Sequence, residues 1–162
     1  MTREPMHVLV LCTGNSARSQ IAEALLATRG AGRLVAASAG SKPAARVNPY
    51  AVEVLEAHGI PWQRRTPKTI DDVTGPSYDL VITVCDNAKE ACPYFPGAKA
   101  QVHWGLPDPA DETEPEAARR AFAGTYEAVR QRVDALLALP LESLAPHDVA
   151  ARAQAIHDSM TP

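Results

Sequence analysis

A cysteine and an arginine six positions apart, Cys12 and Arg18, are the residues best placed in this sequence to do chemistry. The loop between them contains Gly14 and Asn15, which tolerate positive backbone dihedral angles, so successive N–H groups can converge on one point. An arginine closing such a loop adds a planar fork of donors that matches a tetrahedral oxyanion. The spacing therefore predicts an oxyanion-binding loop. Its predicted members are Thr13, Gly14, Asn15, Ser16, Ala17, Arg18 and Ser19.

Cys12 is the predicted nucleophile of this loop. The apolar run 7–11 is typical of a buried parallel strand and the run 20–26 is typical of a helix, so the thiol lies at a strand-to-helix turn. The helix N-terminus, Arg18 and the Ser19 hydroxyl all favour the thiolate, which is the reactive form. The alternative is a buried structural cysteine. That interpretation does not explain why a strand, a Gly-Asn loop and a helix follow one another around Cys12.

Asp108 is a candidate general acid. It lies between Pro107 and Pro109, which leave the loop little conformational freedom, and a fixed carboxylic acid can protonate a leaving oxygen. The alternative is an ordinary solvated acid, because Asp108 opens an acidic run that favours the N-terminus of the next helix.

The other two cysteines of the chain, Cys85 and Cys92, are seven positions apart. This offset, with no neighbouring pair of Cys or His, is not a zinc spacing, so no metal site is predicted. With only three cysteines in all, the sequence does not indicate a disulfide scaffold, and catalytic or redox-active thiols are the better interpretation.

The elements that position these residues alternate along the chain, which predicts an α/β fold. We expect an open four-stranded parallel sheet in the order 2-1-3-4, with helices on both faces. Ligands bind such sheets at the carboxyl ends of the strands, where Cys12, Cys85 and Asp108 all fall. In this order Cys12 and Cys85 leave neighbouring strands about 4.8 Å apart, within the reach of a disulfide. Strands are predicted at 7–11, 33–40, 78–84 and 101–104, and helices at 20–26, 48–59 and 113–139, with a short helical turn from Thr66-Pro67.

Length and charge limit the classes of protein that this chain can represent. Its 162 residues fit one catalytic α/β domain over 1–140, followed by a C-terminal helical extension of unknown role over 141–162, whose helix begins near Pro146. A net charge of −3 gives no electrostatic reason to expect nucleic acid or an anionic membrane as a partner. The sequence contains neither a signal-peptide pattern nor a membrane-length apolar run, which predicts a cytoplasmic location.

Three motifs occur in order along the chain: Cys-Thr-Gly-Asn-Ser-x-Arg-Ser from Cys12, Thr-x-Cys-(x6)-Cys-Pro around Cys85 and Cys92, and His-Trp-Gly-x-x-Asp-Pro-Ala around Asp108. Over residues 7 to about 138 they resemble the thioredoxin-coupled arsenate reductases, which share the fold of the low-molecular-weight tyrosine phosphatases. The resemblance implies reduction of arsenate to arsenite, as in arsenic resistance and detoxification, with reduced thioredoxin as electron donor and no bound cofactor.

The resemblance also implies a role for each site residue. Cys12 attacks arsenate, Arg18 and the loop amides hold the oxyanion, and Asp108 protonates the departing hydroxyl. Cys85 then attacks Cys12, and arsenite leaves with a Cys12–Cys85 disulfide behind it. Cys92 displaces Cys12 and forms a Cys85–Cys92 disulfide, which thioredoxin reduces.

Two other functions remain open at this point. A low-molecular-weight tyrosine phosphatase uses the same thiolate, arginine and acid on a phosphate ester, but here Ala110 and Asp111 follow Asp108-Pro109 where such phosphatases place an aromatic pair. That interpretation also leaves Cys85 and Cys92 unexplained. The third candidate is a non-enzymatic oxyanion-binding or redox-sensing module that signals through a bridge between these two cysteines.

Overall fold

The computed structural model describes residues 4–86 and 95–160, and within these ranges it contains four strands and four α-helices. The strands are β1 (Met6–Cys12), β2 (Leu34–Gly40), β3 (Leu80–Thr83) and β4 (Gln101–His103), and the helices are α1 (Arg18–Arg29), α2 (Pro49–Ala57), α3 (Pro115–Leu137) and α4 (Pro146–Met160). None of the helices in the described part of the chain has an apolar stretch long enough to cross a membrane.

The four strands form one parallel sheet in the order β2-β1-β3-β4, which confirms the predicted topology. The most apolar strand, β1, is central, as expected for a strand that is buried on both faces. Its residue Leu11 lies opposite Ala39 of β2 and Thr83 of β3. The carboxyl ends of these three strands therefore lie side by side at one edge of the sheet.

The two faces of the sheet are covered by different kinds of helix. Val8 and Val10 of β1 share one hydrophobic cluster with residues of all four α-helices. Leu9, on the opposite face because strand side chains alternate, packs in a second cluster with Val73 of a 3₁₀ helix at Asp71–Val73. The prediction of a helical turn from Thr66-Pro67 is wrong. Thr69, shortly after these residues, forms an isolated β-bridge with β2, and the 3₁₀ helix begins only after that bridge.

Helix α2 begins as its cap signal predicts. The side chain of Asn48 accepts a hydrogen bond from the N–H of Tyr50, with Pro49 at the first position of the helix. Helix α3 begins at Pro115, two residues later than Thr113, because the Glu114 carboxylate accepts from the first free N–H groups of the helix. Its predicted core face is buried, and consists of Phe122, Tyr126, Val129, Val133 and Leu136.

The C-terminal helix α4 covers the outer edge of β4. The Gln154 side chain pairs with both backbone groups of His103, accepting from its N–H and donating to its carbonyl oxygen, each at 2.9 Å. The Trp104 indole N–H donates to the carbonyl of Ala153 at 3.0 Å. These contacts satisfy backbone groups that an edge strand would otherwise leave exposed. The division into a domain ending at residue 140 and an extension of separate role stays a prediction.

Candidate active site

The loop after β1 surrounds a cavity of about 230 Å³ at the carboxyl edge of the sheet. Residues 12–18 and Asp108 line this cavity, so the structure brings together the predicted nucleophile, the predicted acid and nearly the whole predicted oxyanion loop. Ser19, the last predicted member of the loop, does not line the cavity but contacts the Cys12 sulfur behind it.

The backbone of the loop presents donors, not acceptors, to the cavity. Its carbonyl oxygens accept hydrogen bonds from the N–H groups of the neighbouring segment 41–48, which turns the peptide planes so that the loop N–H groups point the other way. The N–H groups of Thr13, Gly14, Ser16 and Ala17 have no acceptor within the described residues. The buried hydroxyl of Thr13 likewise has no hydrogen-bond partner there. Such converging free donors form an anion-binding concavity.

Gly40 and Asn15 are the two positions where this loop requires special backbone freedom. A Cβ on Gly40, at the end of β2, would lie 2.4 Å from the carbonyl oxygen of Thr13, so only glycine lets β2 approach the loop. Asn15 has a φ of 50°, in the left-handed region that asparagine tolerates best among residues with side chains. This conformation lets the Asn15 N–H donate to the Cys12 sulfur at 3.2 Å.

Cys12 is a free, buried cysteine whose sulfur receives hydrogen bonds from its surroundings. The Ser19 hydroxyl lies 3.1 Å from the sulfur and accepts a hydrogen bond from the Asn15 side-chain amide at 2.8 Å, which leaves its own proton for Cys12. The N-terminus of α1, which begins at Arg18, lies directly beyond the loop. Donors and helix dipole together stabilise a thiolate.

Arg18 and Asp108 meet at the mouth of the cavity. The buried Arg18 guanidinium donates to the Leu106 carbonyl at 2.9 Å, and its second terminal nitrogen lies 3.5 Å from a carboxylate oxygen of Asp108. The other oxygen of Asp108 accepts from the N–H of Ala110 at 3.0 Å, which fixes the carboxyl orientation. Asp108 is thus held beside the loop with a side chain that is 32% exposed, and its role as the general acid stays a prediction.

Cys85 follows β3 at the same edge of the sheet and is fully buried. The N–H of Val84 donates to the carbonyl of Leu11 at 3.0 Å, so β3 stays alongside β1 until the residue before each cysteine. Cys92, the third predicted site cysteine, lies outside the described residues. Within the ranges 4–86 and 95–160, no group of three His, Cys, Asp or Glu could hold a metal ion.

A buried polar cluster lies behind the loop, and sequence reasoning missed its member Arg65. The carboxylate of the buried residue Glu23 accepts from the Ser38 hydroxyl at 2.6 Å and from an Arg65 guanidinium nitrogen at 3.2 Å. One signal was available: Glu23 is the single charged residue in the apolar stretch 21–26 of α1. Nothing in the sequence around Arg65 indicates that it reaches this site.

Comparison with known proteins agrees with this geometry. Residues 7–149 match the family described as low molecular weight phosphotyrosine protein phosphatase. An arsenate reductase of Halalkalibacterium halodurans is 42% identical over 103 residues, which make up 64% of this chain and 73% of that protein.

Two solved structures extend the comparison to the fold. The arsenate reductase of Archaeoglobus fulgidus superposes with a TM-score of 0.63 at 34% identity, over 78% of this chain and 98% of that one. A thioredoxin-dependent arsenate reductase of Corynebacterium glutamicum gives 0.58 at 29% identity, over 83% of this chain and 64% of that one. The chain therefore belongs to the low molecular weight phosphotyrosine protein phosphatase family, and among its members it is similar in sequence and fold to the arsenate reductases.

Proposed function

We propose that this protein is an arsenate reductase that passes electrons from its own thiols to arsenate and is regenerated by thioredoxin. The observation that carries the proposal is the cavity in which a free Cys12 thiol, Arg18 and Asp108 border a set of unused N–H donors. The names of the similar proteins support arsenate as the substrate, and the name of the Corynebacterium relative supports thioredoxin as the reductant.

Substrate binding exchanges the partners of Arg18. Its guanidinium lies 3.5 Å from the Asp108 carboxylate. An arsenate anion in the cavity accepts from the N–H groups of Thr13, Gly14, Ser16 and Ala17 and from Arg18, and so replaces Asp108 as the counterion of the guanidinium. Asp108, released from that ion pair, can then carry a proton to the oxygen that leaves arsenic.

The redox chemistry uses the three cysteines in turn. The Cys12 thiolate attacks arsenic, and the displaced hydroxyl leaves as water with the proton from Asp108. The Cys85 thiolate attacks the Cys12 sulfur, the arsenic–sulfur electron pair stays on arsenic, and arsenite leaves. Cys92 attacks Cys85 and releases Cys12 as a thiolate. The dithiol of thioredoxin reduces the Cys85–Cys92 disulfide and is itself oxidised.

The positions of the described cysteines support this sequence of steps. Cys12 is a free cysteine at the end of β1, and Cys85 is fully buried just after the neighbouring strand β3, at the same edge of the sheet. A phosphatase would need only Cys12, Arg18 and Asp108, and it would give no role to a second redox-active cysteine at the same edge. We infer a cytoplasmic location, where thioredoxin is kept reduced, and no further bound cofactor, membrane or nucleic acid partner.

A coupled assay distinguishes the three candidate functions. The reduced protein is mixed with thioredoxin, thioredoxin reductase and NADPH, and is given arsenate or an aryl phosphate in parallel. Arsenate-dependent NADPH oxidation with little ester hydrolysis is the expected result. Efficient hydrolysis of the ester without NADPH oxidation would identify a phosphatase, and no turnover of either compound would favour the sensing module.

The role of Cys92 is tested with a variant in which the reaction stops before the step that Cys92 performs. Cys92→Ser should complete one turnover, release arsenite and stop with a Cys12–Cys85 disulfide, which mass spectrometry of thiol-blocked peptides identifies. Repeated turnover by this variant would exclude the proposed relay.

A further inference from the structure

A closed ring of polar contacts runs behind the catalytic loop, and Arg65 is its outermost member. The Arg65 guanidinium contacts both the Glu23 carboxylate and the face of the Trp62 ring, the latter at 4.0 Å from the ring centroid. We propose that Arg65 is a positioning residue for the reaction at Cys12: it holds both branches of this ring in place and thereby fixes Asn15, which donates to the Cys12 sulfur. The inference deepens the proposed function and rests on it for the identity of the substrate.

The first branch of the ring runs through Glu23 and Ser38. Arg65 donates to one oxygen of Glu23, and the other oxygen accepts the Ser38 proton at 2.6 Å. Because that proton is committed to Glu23, the Ser38 oxygen presents a lone pair to the Asn15 side-chain amide, which donates to it at 2.9 Å. The charge of Glu23 therefore decides which way the Ser38 hydroxyl points.

The second branch runs through Trp62 and Gln20. The Trp62 indole N–H donates to the Gln20 side-chain oxygen at 2.8 Å, which leaves the Gln20 amide nitrogen to donate to the backbone and side-chain oxygens of Asn15 at 2.9 and 3.1 Å. The guanidinium of Arg65 stacked on Trp62 is a cation–π contact of the kind that fixes the ring plane. Both branches thus end at Asn15.

Asn15 transmits this arrangement to the sulfur. Its N–H donates to Cys12, and its side-chain amide donates to Ser19, which leaves the Ser19 proton for the same sulfur. Asn15 keeps a left-handed backbone conformation, which persists only where its surroundings determine it. The two hydrogen bonds to the Cys12 sulfur therefore depend on Asn15, which is held by the ring that closes at Arg65 and by the Lys68 N–H, which donates to the Asn15 side-chain oxygen at 2.8 Å.

Arg65 is needed because Glu23 is buried. The Glu23 side chain is 7% exposed and that of Arg65 is 51% exposed. Water can therefore solvate the guanidinium charge but not the carboxylate charge, which depends on Arg65 as its counterion. A buried carboxylate without a partner would either repel a nearby thiolate or reorganise the hydroxyl of Ser38. The proposal predicts that loss of Arg65 acts on Cys12 through Glu23.

Two measurements on Arg65→Gln test the proposal. In the fully reduced full-length protein, the rate at which iodoacetamide alkylates Cys12 at neutral pH, followed by mass spectrometry of the Cys12 peptide, should fall by about tenfold, because an unpaired negative charge lowers the thiolate fraction. The kcat/KM for arsenate should fall by a similar factor. Arg64→Gln is the matched control. Arg64, one position away, is an exposed arginine that makes no hydrogen bond or ion pair within the described residues, so its loss should change neither the alkylation rate nor kcat/KM.

Two further variants separate positioning from other roles. Arg65→Lys keeps the charge and should restore most of the alkylation rate. Glu23→Gln combined with Arg65→Gln removes the buried charge, so the double variant should alkylate faster than Arg65→Gln alone. Unchanged alkylation in Arg65→Gln, or a loss of arsenate turnover through KM alone, would overturn the proposal. Because alkylation needs no arsenate, this outcome is independent of whether the protein reduces it.

Discussion

Polar contacts hold two regions of this protein, the catalytic loop and helix α4. The two sets of contacts differ in kind. Around the loop, polar side chains bond mainly to one another, and the chain of contacts ends at the Cys12 sulfur. At α4, the contacts with β4 and Trp104 run from side chain to backbone: Gln154 to His103, and Trp104 to Ala153. Side-chain networks orient protons and charges, whereas contacts with backbone fix the position of an element. We therefore expect changes in the first region to affect chemistry and changes in the second to affect stability.

The largest expected effect comes from Cys12→Ser, which removes the nucleophile and keeps nearly the same shape. A hydroxyl is not ionised at neutral pH, so arsenate reduction and any phosphatase side activity should fall by about 10³-fold or more. Steady-state rates with both substrates measure this, and the urea midpoint should change little. Residual turnover above roughly a hundredth of the wild-type rate would mean that another group attacks the oxyanion.

Asp108→Asn should have the next largest effect. Asparagine keeps the size of the side chain and an oxygen that can accept from the Ala110 N–H, but it cannot supply a proton, so the oxyanion step should slow by about 10²- to 10⁴-fold. Single-turnover arsenite release at several pH values measures it. The exposed neighbour Glu112 provides the control, since Glu112→Gln should leave the rate unchanged. Equal rates in both variants would make Asp108 an ordinary loop acid.

The loop was predictable from the sequence because its contacts are local. Cys12 and Ser19 are seven positions apart, and the strand, the small residues and the helix that form the site follow one another directly. The alternation of elements likewise predicted the open parallel sheet. By contrast, Arg65 meets Glu23 across 42 positions, and Gln154 meets β4 across 51. Such pairs depend on how the finished elements pack, and no local pattern encodes them.

Gln154→Ala tests the α4 side of the comparison. It removes two hydrogen bonds to the β4 backbone and leaves part-buried backbone groups unpaired, so the free energy of unfolding should fall by about 1–3 kcal/mol. The kcat/KM for arsenate should stay within about twofold, because no contact of Gln154 leads to Cys12. Urea unfolding and steady-state kinetics measure the two quantities.

Gln131→Ala is the matched control, because Gln131 is exposed on α3 and its loss should leave stability nearly unchanged. A fall in activity without a fall in stability for Gln154→Ala would show that α4 shapes the catalytic site. The comparison between the two regions would then fail.

The smallest expected effect is a pH dependence of stability at the second α4 contact. Arg132 donates from Nε to Nδ1 of His157 at 2.9 Å, which requires that Nδ1 be unprotonated. Burial, followed by the positive charge of Arg132, lowers the pKa of His157 below its ordinary value of 6.5. Asp158 opposes this shift and His103 adds to it. His103 also has a lowered pKa, chiefly because of burial, with Asp86 acting in the opposite direction.

The sign of the pH effect follows from which state binds more protons. Below about pH 6.5 the unfolded chain takes up a proton on His157 that the native chain binds only at lower pH, so the free energy of unfolding decreases as the solution is acidified through this range. His157→Gln keeps an acceptor for Arg132 but does not titrate, so the loss of stability between about pH 8 and 5.5 should be smaller than in the wild type, with His103 accounting for part of what remains. His147→Gln, at an exposed position of the same helix, should not alter the slope. An identical slope in His157→Gln and the wild type would place the titrating group elsewhere.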